Sequence, residues 1–205
     1  MKLKVCGLSN SVEVKTCVAL GVNYCGFILN YPKSHRYITF EKAKNLTDID
    51  KGSSNFVGVL VEPTEEELNH FAKLKLDYFQ IYGNFNSADL LKIKEKFKKK
   101  IITTIQVKKK EDIDKYRLIE NYSDIVLWDS SGYEESFSWN FDWLKPVSIK
   151  VEKMVAGNIT IDKIQDLEGI ADTIDVSGAL ETNKVKDINK IKKFTAEVKK
   201  IYHEN

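Results

Sequence analysis

Among 205 residues there are three prolines, three cysteines and no apolar run approaching the roughly 18 residues that a membrane span needs. Each scarcity excludes something. The prolines (Pro32, Pro63, Pro146) fall near element ends, and no Pro-rich or Gly/Ser-rich linker interrupts the chain. One domain covering residues 1–205 is therefore expected. Cys6, Cys17 and Cys25 form an odd set without C-x-x-C spacing, which argues against a disulfide framework or a zinc finger. The N-terminal segment enters a strand-like pattern without the apolar stretch of a signal peptide. Free thiols in such a chain predict a cytoplasmic protein with no membrane partner. An excess of one charge is also missing: 32 basic residues face 30 acidic ones, for a net +2. That balance speaks against nucleic-acid binding. The runs Lys98–Lys100 and Lys108–Lys110 lie at loops with Glu95, Glu111 and Asp112 close by, and read as solvated surface. His35, His70 and His203 have no metal-ligand spacing, so neither metal nor cofactor is expected.

What the chain does have is an alternation. Short β-branched runs at Lys2–Val5, Tyr24–Leu29, Asn55–Val61, Tyr78–Tyr82, Ile101–Val107, Asp124–Asp129, Lys153–Ala156 and Thr173–Ser177 alternate with amphipathic segments. Several runs are apolar on both faces, as buried parallel strands are. Leu90, Ile93 and Phe97 share a helical face, as do Leu68, Phe71 and Leu74. The last segment carries Ile188, Ile191, Phe194, Val198 and Ile201 along one stripe. Thr64 with Glu67 makes a capping box, Asn10 with Glu13 approximates one, and Pro146 limits the sixth helix. Eight evenly spaced strand–helix units favour a closed (β/α)₈ barrel over an open doubly wound sheet, because closure leaves no parallel edge exposed. Function in such a barrel sits at the C-terminal strand ends.

Those ends carry polar and small residues. Strand 1 ends in Cys6-Gly7, and strand 2 leads into a loop bearing Arg36. Strand 4 ends Gln80-Ile81-Tyr82-Gly83, strand 6 Trp128-Asp129-Ser130, strand 7 Ala156-Gly157-Asn158 and strand 8 Asp175-Val176-Ser177-Gly178. Small residues at strands 7 and 8 suit backbone N–H groups closing on a phosphate, although Gly and Asn also serve ordinary turns. Cys6 beside the mouth is either a small buried hydrophobe or a base, the latter if nearby positive charge favours its thiolate. Cys17 and Cys25 read as buried hydrophobes. Asp129 ends an apolar strand, where Trp128 is expected to raise its pKa toward that of a general acid; the alternative is a turn cap shared with Ser130. Arg36 fits a carboxylate or phosphate, or lies plainly on the surface.

Taken in order, these fragments resemble the phosphoribosylanthranilate isomerase family of tryptophan biosynthesis. The resemblance rests on Lys4-Val5-Cys6-Gly7-Leu8, Gly26-Phe27-Ile28, Ser34-His35-Arg36-Tyr37-Ile38 and Phe56-Val57-Gly58-Val59-Leu60. It continues through Asp77-Tyr78-Phe79-Gln80-Ile81-Tyr82-Gly83, Val126-Leu127-Trp128-Asp129-Ser130 and Phe141-Asp142-Trp143. It closes with Val155-Ala156-Gly157-Asn158-Ile159 and Asp175-Val176-Ser177-Gly178-Ala179-Leu180-Glu181, so nearly the whole chain is covered. It implies an Amadori rearrangement of a small phosphorylated substrate without metal or cofactor. Asp129 would be the general acid and Cys6 the general base. Arg36 would hold the anthranilate carboxylate, and Gly157, Asn158, Ser177 and Gly178 the phosphate. Gln80 and Asp175 are expected to complete the substrate-binding set.

This sequence departs from the family pattern in places. Ser131-Gly132-Tyr133-Glu134-Glu135 replaces a Gly-rich stretch that bears on lid mobility. Tyr82 stands where His is usual, and Asn158 and Gly178-Ala179 replace Gly and Ser-Gly. Other phosphosugar barrels remain rivals. One is an imidazole-carboxamide ribotide isomerase, which pairs aspartates at strands 1 and 5. Another is an indole-glycerol-phosphate synthase, which needs barrel lysines that no strand end here offers. A non-catalytic phosphometabolite-binding barrel is a third. Monomer, homodimer and association with a neighbouring pathway enzyme all remain open.

Overall fold

Strand β1 (Lys2–Cys6) sets the rule by which the wall is built. Side chains alternate along a strand. Leu3 and Val5 turn outward into the apolar layer beneath the helices, whereas Cys6 joins the interior cluster and Lys4 reaches Asp175 inside the barrel. The same division recurs in β2 (Tyr24–Ile28), β3 (Asn55–Val61), β4 (Tyr78–Tyr82), β5 (Lys100–Gln106), β6 (Ile125–Asp129), β7 (Glu152–Val155) and β8 (Thr173–Val176). These strands run parallel in sequence order and close as a barrel, with β8 returning to β1 so that Lys4 pairs with Asp175 and Val5 with Val176. The computed structural model describes residues 1–130 and 137–203, with side chains through Lys200. The expected strands agree to within one or two terminal residues.

Burial on both faces explains the apolar runs. Val5, Phe27, Phe56, Phe79, Val126 and Ile174 have no exposed surface and pack under the outer shell. Each such side chain contributes about 1.5–3 kcal/mol relative to exposure. Tyr24, Val57, Val59, Tyr78, Ile102, Ile125 and Leu127 fill the interior. Below them, Glu152 accepts from Lys2 at 2.6 Å and from the Tyr24 hydroxyl at 2.9 Å, closing the N-terminal end.

Four helices follow the first four strands: α1 (Ser11–Ala19), α2 (Phe40–Thr47), α3 (Glu65–Phe71) and α4 (Ser87–Phe97). Asn10 with Glu13 and Thr64 with Glu67 form the anticipated capping boxes. Asn86 with Asp89 forms another, at α4, that the sequence reading overlooked. Helix α5 (Ile188–His203) completes the ring, burying Ile191, Phe194 and Val198. The side chains of Ile201 and His203 lie outside the described residues, as does 131–135.

The expected helices after β5, β6 and β7 are replaced by 3₁₀ turns at Lys110–Leu118, Phe141–Leu144, Ile161–Lys163 and Gln165–Leu167. Spacing is compatible with these turns, although the row Leu68, Phe71 and Leu74, buried at the same interval, accompanies the α-helix α3. Ile113, Tyr116 and Ile119 are buried at every third position, and so are Ile164, Leu167 and Ile170. A helix of three residues per turn keeps such a row on one face; one of 3.6 per turn rotates it away. Lys98, Lys100 and Lys108–Lys110 are exposed as anticipated, while Lys99 donates to the Leu76 carbonyl at 2.7 Å. Among the described residues no helix is long and apolar enough to cross a membrane.

Candidate active site

The C-terminal strand ends enclose a cavity of about 250 Å³. Cys6, Arg36, Asp129, Gly157, Asn158, Asp175, Ser177 and Gly178 all line it, so eight of the nine residues singled out from the sequence converge. The ninth is displaced. Gln80 is fully buried beneath Tyr82 and does not line the cavity; its amide donates to the Tyr82 hydroxyl at 3.2 Å. Alternation accounts for this, because Gln80 shares the inward face with Tyr82 one step nearer the barrel floor.

Cys6 sits above a buried ion pair that the sequence reading missed. Lys4 and Cys6 share the inward face of β1, and the Lys4 ammonium lies 2.8 Å from Asp175 Oδ2. The sequence reading looked for lysines at strand ends; Lys4 lies one inward step below the end of β1 and has no exposed surface at all. A side chain at Gly26 would put a Cβ 3.0 Å from Cys6 Sγ and 3.3 Å from Lys4 Nζ, so the glycine makes room for both groups. Burial disfavours the charged ammonium, yet Asp175 and Cys6 offset this and hold Lys4 above the ordinary lysine value. Burial pushes the Cys6 thiol up; Lys4 and Lys186 pull it back, and Asp175 opposes them. Burial raises the Asp175 carboxyl against the pull of Lys4. Among the described residues its Oδ1 has no hydrogen-bond partner.

Asp129 is buried across the cup and accepts a hydrogen bond from the Tyr82 hydroxyl at 2.8 Å. The apolar neighbour expected to act on it does not face it. Trp128 points to the opposite face of β6, donating to the Ile113 carbonyl at 3.2 Å and packing against Tyr116. A two-residue strand period separates any two sequence neighbours in this way. Burial pushes the Tyr82 phenol well above its ordinary value, and the charges of Asp129 and Asp175 add to the effect.

Arg36 reaches the mouth on the loop after β2, which rejoins the wall where Tyr37 bridges Ile28. Its stem crosses Gly7, whose φ is +78°; a Cβ there would come within 2.5 Å of Arg36 Cδ. Glu181 grips the guanidinium through Nε at 2.5 Å and Nη2 at 3.0 Å. Glu181 belongs to a small hairpin, β9 (Glu181–Thr182) and β10 (Val185–Lys186). Asn183 and Lys184, with φ of 52° and 63°, form its left-handed turn. Lys186 also contacts Glu181 and reaches Ser177 Oγ at 3.2 Å. Burial pulls the Lys186 ammonium down, and Glu181 opposes it. Ser177 Oγ donates in turn to the Cys6 carbonyl at 2.9 Å.

The strand-7 turn leaves Gly157 at φ +117°, where a Cβ would strike Trp139 Nε1 at 2.7 Å. Asn158 adopts φ 49°, a conformation Asn tolerates, and donates to Ser138 at 3.0 Å. Cys17 and Cys25 are wholly buried in the outer core.

A family model described as N-(5'phosphoribosyl)anthranilate (PRA) isomerase matches residues 3–197. The N-(5'-phosphoribosyl)anthranilate isomerase of Streptococcus mutans is 34% identical over 205 residues, covering 97% of this chain and 99% of the relative. That of Campylobacter jejuni strain 81116 is 31% identical over 207 residues, covering 98% and 100%. In fold, the chain is similar to the phosphoribosyl anthranilate isomerase of Thermotoga maritima, with a TM-score of 0.86 at 24% identity over 98% of this chain and 99% of that one. A crystallised phosphoribosyl anthranilate isomerase in complex with reduced 1-(o-carboxyphenylamino)-1-deoxyribulose 5-phosphate gives 0.82 at 23% identity, with coverage of 98% and 99%. The chain belongs to the N-(5'-phosphoribosyl)anthranilate isomerase family and is an intramolecular isomerase on a (β/α)₈ barrel.

Proposed function

We propose that Asp129 and Cys6 rearrange N-(5'-phosphoribosyl)anthranilate to 1-(2-carboxyphenylamino)-1-deoxyribulose 5-phosphate, a cytoplasmic step of tryptophan biosynthesis. The observation that carries this reading is a thiol from β1 and a carboxyl from β6 lining one small cavity. Protonated Asp129 gives its proton to the furanose ring oxygen. The C1'–O bond breaks as the anilino nitrogen donates its electron pair, leaving a protonated Schiff base and an Asp129 carboxylate. Cys6 then takes the C2' proton, and those C–H electrons form the enolamine, which tautomerises to the ketone. One proton enters and one leaves, as an isomerisation requires.

The electrostatics support these roles. Cys6 takes the C2' proton as a thiolate, its own proton having left to solvent beforehand; burial opposes that form, while the Lys4 ammonium beneath it and the cationic Schiff base above both favour it. Arg36, pre-aimed by Glu181, holds the anthranilate carboxylate. Gly157, Asn158, Ser177 and Gly178 cradle the phosphate through backbone N–H groups. The lone Asp175 Oδ1 accepts from a sugar hydroxyl. Gln80 contributes through Tyr82 rather than by touching substrate.

The test is the decay of substrate fluorescence when freshly made phosphoribosylanthranilate meets the purified protein. Asp129→Asn and Cys6→Ser should each lower kcat at least about 100-fold, within the usual acid–base range. Near-native turnover in either variant refutes its assignment, and no decay with the parent protein favours a non-catalytic barrel.

A further inference from the structure

Asp129 can act as an acid only if its one proton sits on the oxygen that faces the substrate. Tyr82 bears on which oxygen that is. Its hydroxyl donates to Oδ2 at 2.8 Å, and the Tyr82 side chain lines the same cavity as the carboxyl. Behind it, Gln80 Nε2 donates to the phenol oxygen at 3.2 Å. That bond occupies a phenol lone pair and turns the phenol hydrogen toward Asp129. With the amide reversed, Gln80 Oε1 would draw the hydrogen to itself and leave phenol lone pairs against the carboxylate. In the observed direction Oε1 is buried without a hydrogen-bond partner among the described residues, an arrangement that needs a reason.

We infer that Tyr82 is a positioning residue that keeps Asp129 Oδ2 as a hydrogen-bond acceptor and so keeps the transferable proton off that oxygen, with Gln80 setting the direction of the phenol. The inference rests on Asp129 being the acid. Tyr82 keeps its own proton throughout, because burial and the neighbouring carboxylates oppose a phenolate. It therefore donates in both protonation states of Asp129 and does not compete for the proton being transferred.

The experiment measures kcat and KM for phosphoribosylanthranilate in Tyr82→Phe, Tyr82→His and Gln80→Met, alongside Cys6→Ser and Asp129→Asn. Tyr82→Phe keeps the ring and deletes the donor. Its kcat should fall about 10- to 100-fold, the size of one hydrogen bond to a charged group, with KM unchanged within about twofold. Tyr82→His, which restores an N–H donor, should recover most of that loss. A Tyr82→Phe kcat within about twofold of the parent overturns the inference, as does an equal loss in Phe and His variants, which marks a packing role. If Tyr82→Phe does not fold, Gln80→Met decides: about a threefold or larger fall in kcat supports the assignment, and an unchanged kcat overturns it. Normal turnover by Asp129→Asn would defeat the acid assignment itself. An inactive Asp129→Asn beside a normal Tyr82→Phe defeats only the role of Tyr82.

Discussion

Replacing Glu181 by Gln removes the charge at the centre of the cationic rim while keeping its shape. The parent carboxylate accepts from Arg36 Nε at 2.5 Å and Nη2 at 3.0 Å, and it also binds Lys186. Burial alone would raise its pKa, but the Arg36 hydrogen bonds and the Lys186 charge outweigh this and bring it from 4.5 to about 2. A shift of that size is worth at most about 3 kcal/mol, and the solvent-facing side of the rim reduces it to about 2. The sign follows from the direction. A carboxyl with a depressed folded-state pKa adds stability that is complete above about 4.5 and lost as pH falls through about 2. Urea unfolding should therefore place Glu181→Gln about 2 kcal/mol below the parent at pH 7, with the gap narrowing as pH falls from about 5 to about 3. The KM for phosphoribosylanthranilate should rise in parallel, because Arg36 and Lys186 then repel each other across a neutral amide. Equal stability at pH 7, or a gap that stays flat on acidification, refutes the reasoning.

Arg36→Ala should mainly raise KM and leave kcat nearly intact; an unchanged KM removes its carboxylate role. Gly7→Ala forces a Cβ to 2.5 Å from Arg36 Cδ at φ +78°. It should cost about 1–3 kcal/mol in thermal or urea unfolding and raise KM, and a variant matching the parent in both would disprove that close approach. Lys4→Met leaves Asp175 buried without its partner and should lower stability by about 3–5 kcal/mol. The double change Lys4→Met with Asp175→Leu should regain much of that stability, and a double variant no more stable than Lys4→Met alone would contradict the ion-pair account.

The barrel was legible because its strands announce themselves twice, by β-branched composition and by even spacing. The 3₁₀ turns after β5 and β7 were not legible, since the third-residue rows at Ile113 and Ile164 have a counterpart at Leu68, Phe71 and Leu74, where α3 forms. Strand ends exposed Cys6, Asp129 and the two small-residue turns: a polar or glycine residue closing an apolar run is conspicuous. The hairpin bearing Glu181 and Lys186 gave a weaker signal, two-residue strands around Asn183-Lys184 after the last barrel strand. Trp128 was misread through sequence adjacency, which in a strand means opposite faces.

The residues that govern the two reactive groups are neighbours by a different rule. Lys4 lies two places before Cys6, so period-2 alternation alone puts its ammonium under the thiol. Tyr82 and Asp129 belong to β4 and β6, which are not hydrogen-bonded neighbours; β5 lies between them. In a closed barrel, side chains from alternate strands meet in one interior layer. The partner of a strand-end residue is thus to be sought two strands away at the same height, as well as two residues below. Applied to Asp129, the first step leads to Tyr82 on β4 and Asp175 on β8, while the second reaches only apolar Leu127. Applied to Cys6, the second step finds Lys4. The base is therefore tuned from beneath by a cation, and the acid is held from the side by a phenol. This difference predicts that Lys4→Met shifts the pH dependence of proton abstraction, whereas Tyr82→Phe lowers turnover at every pH.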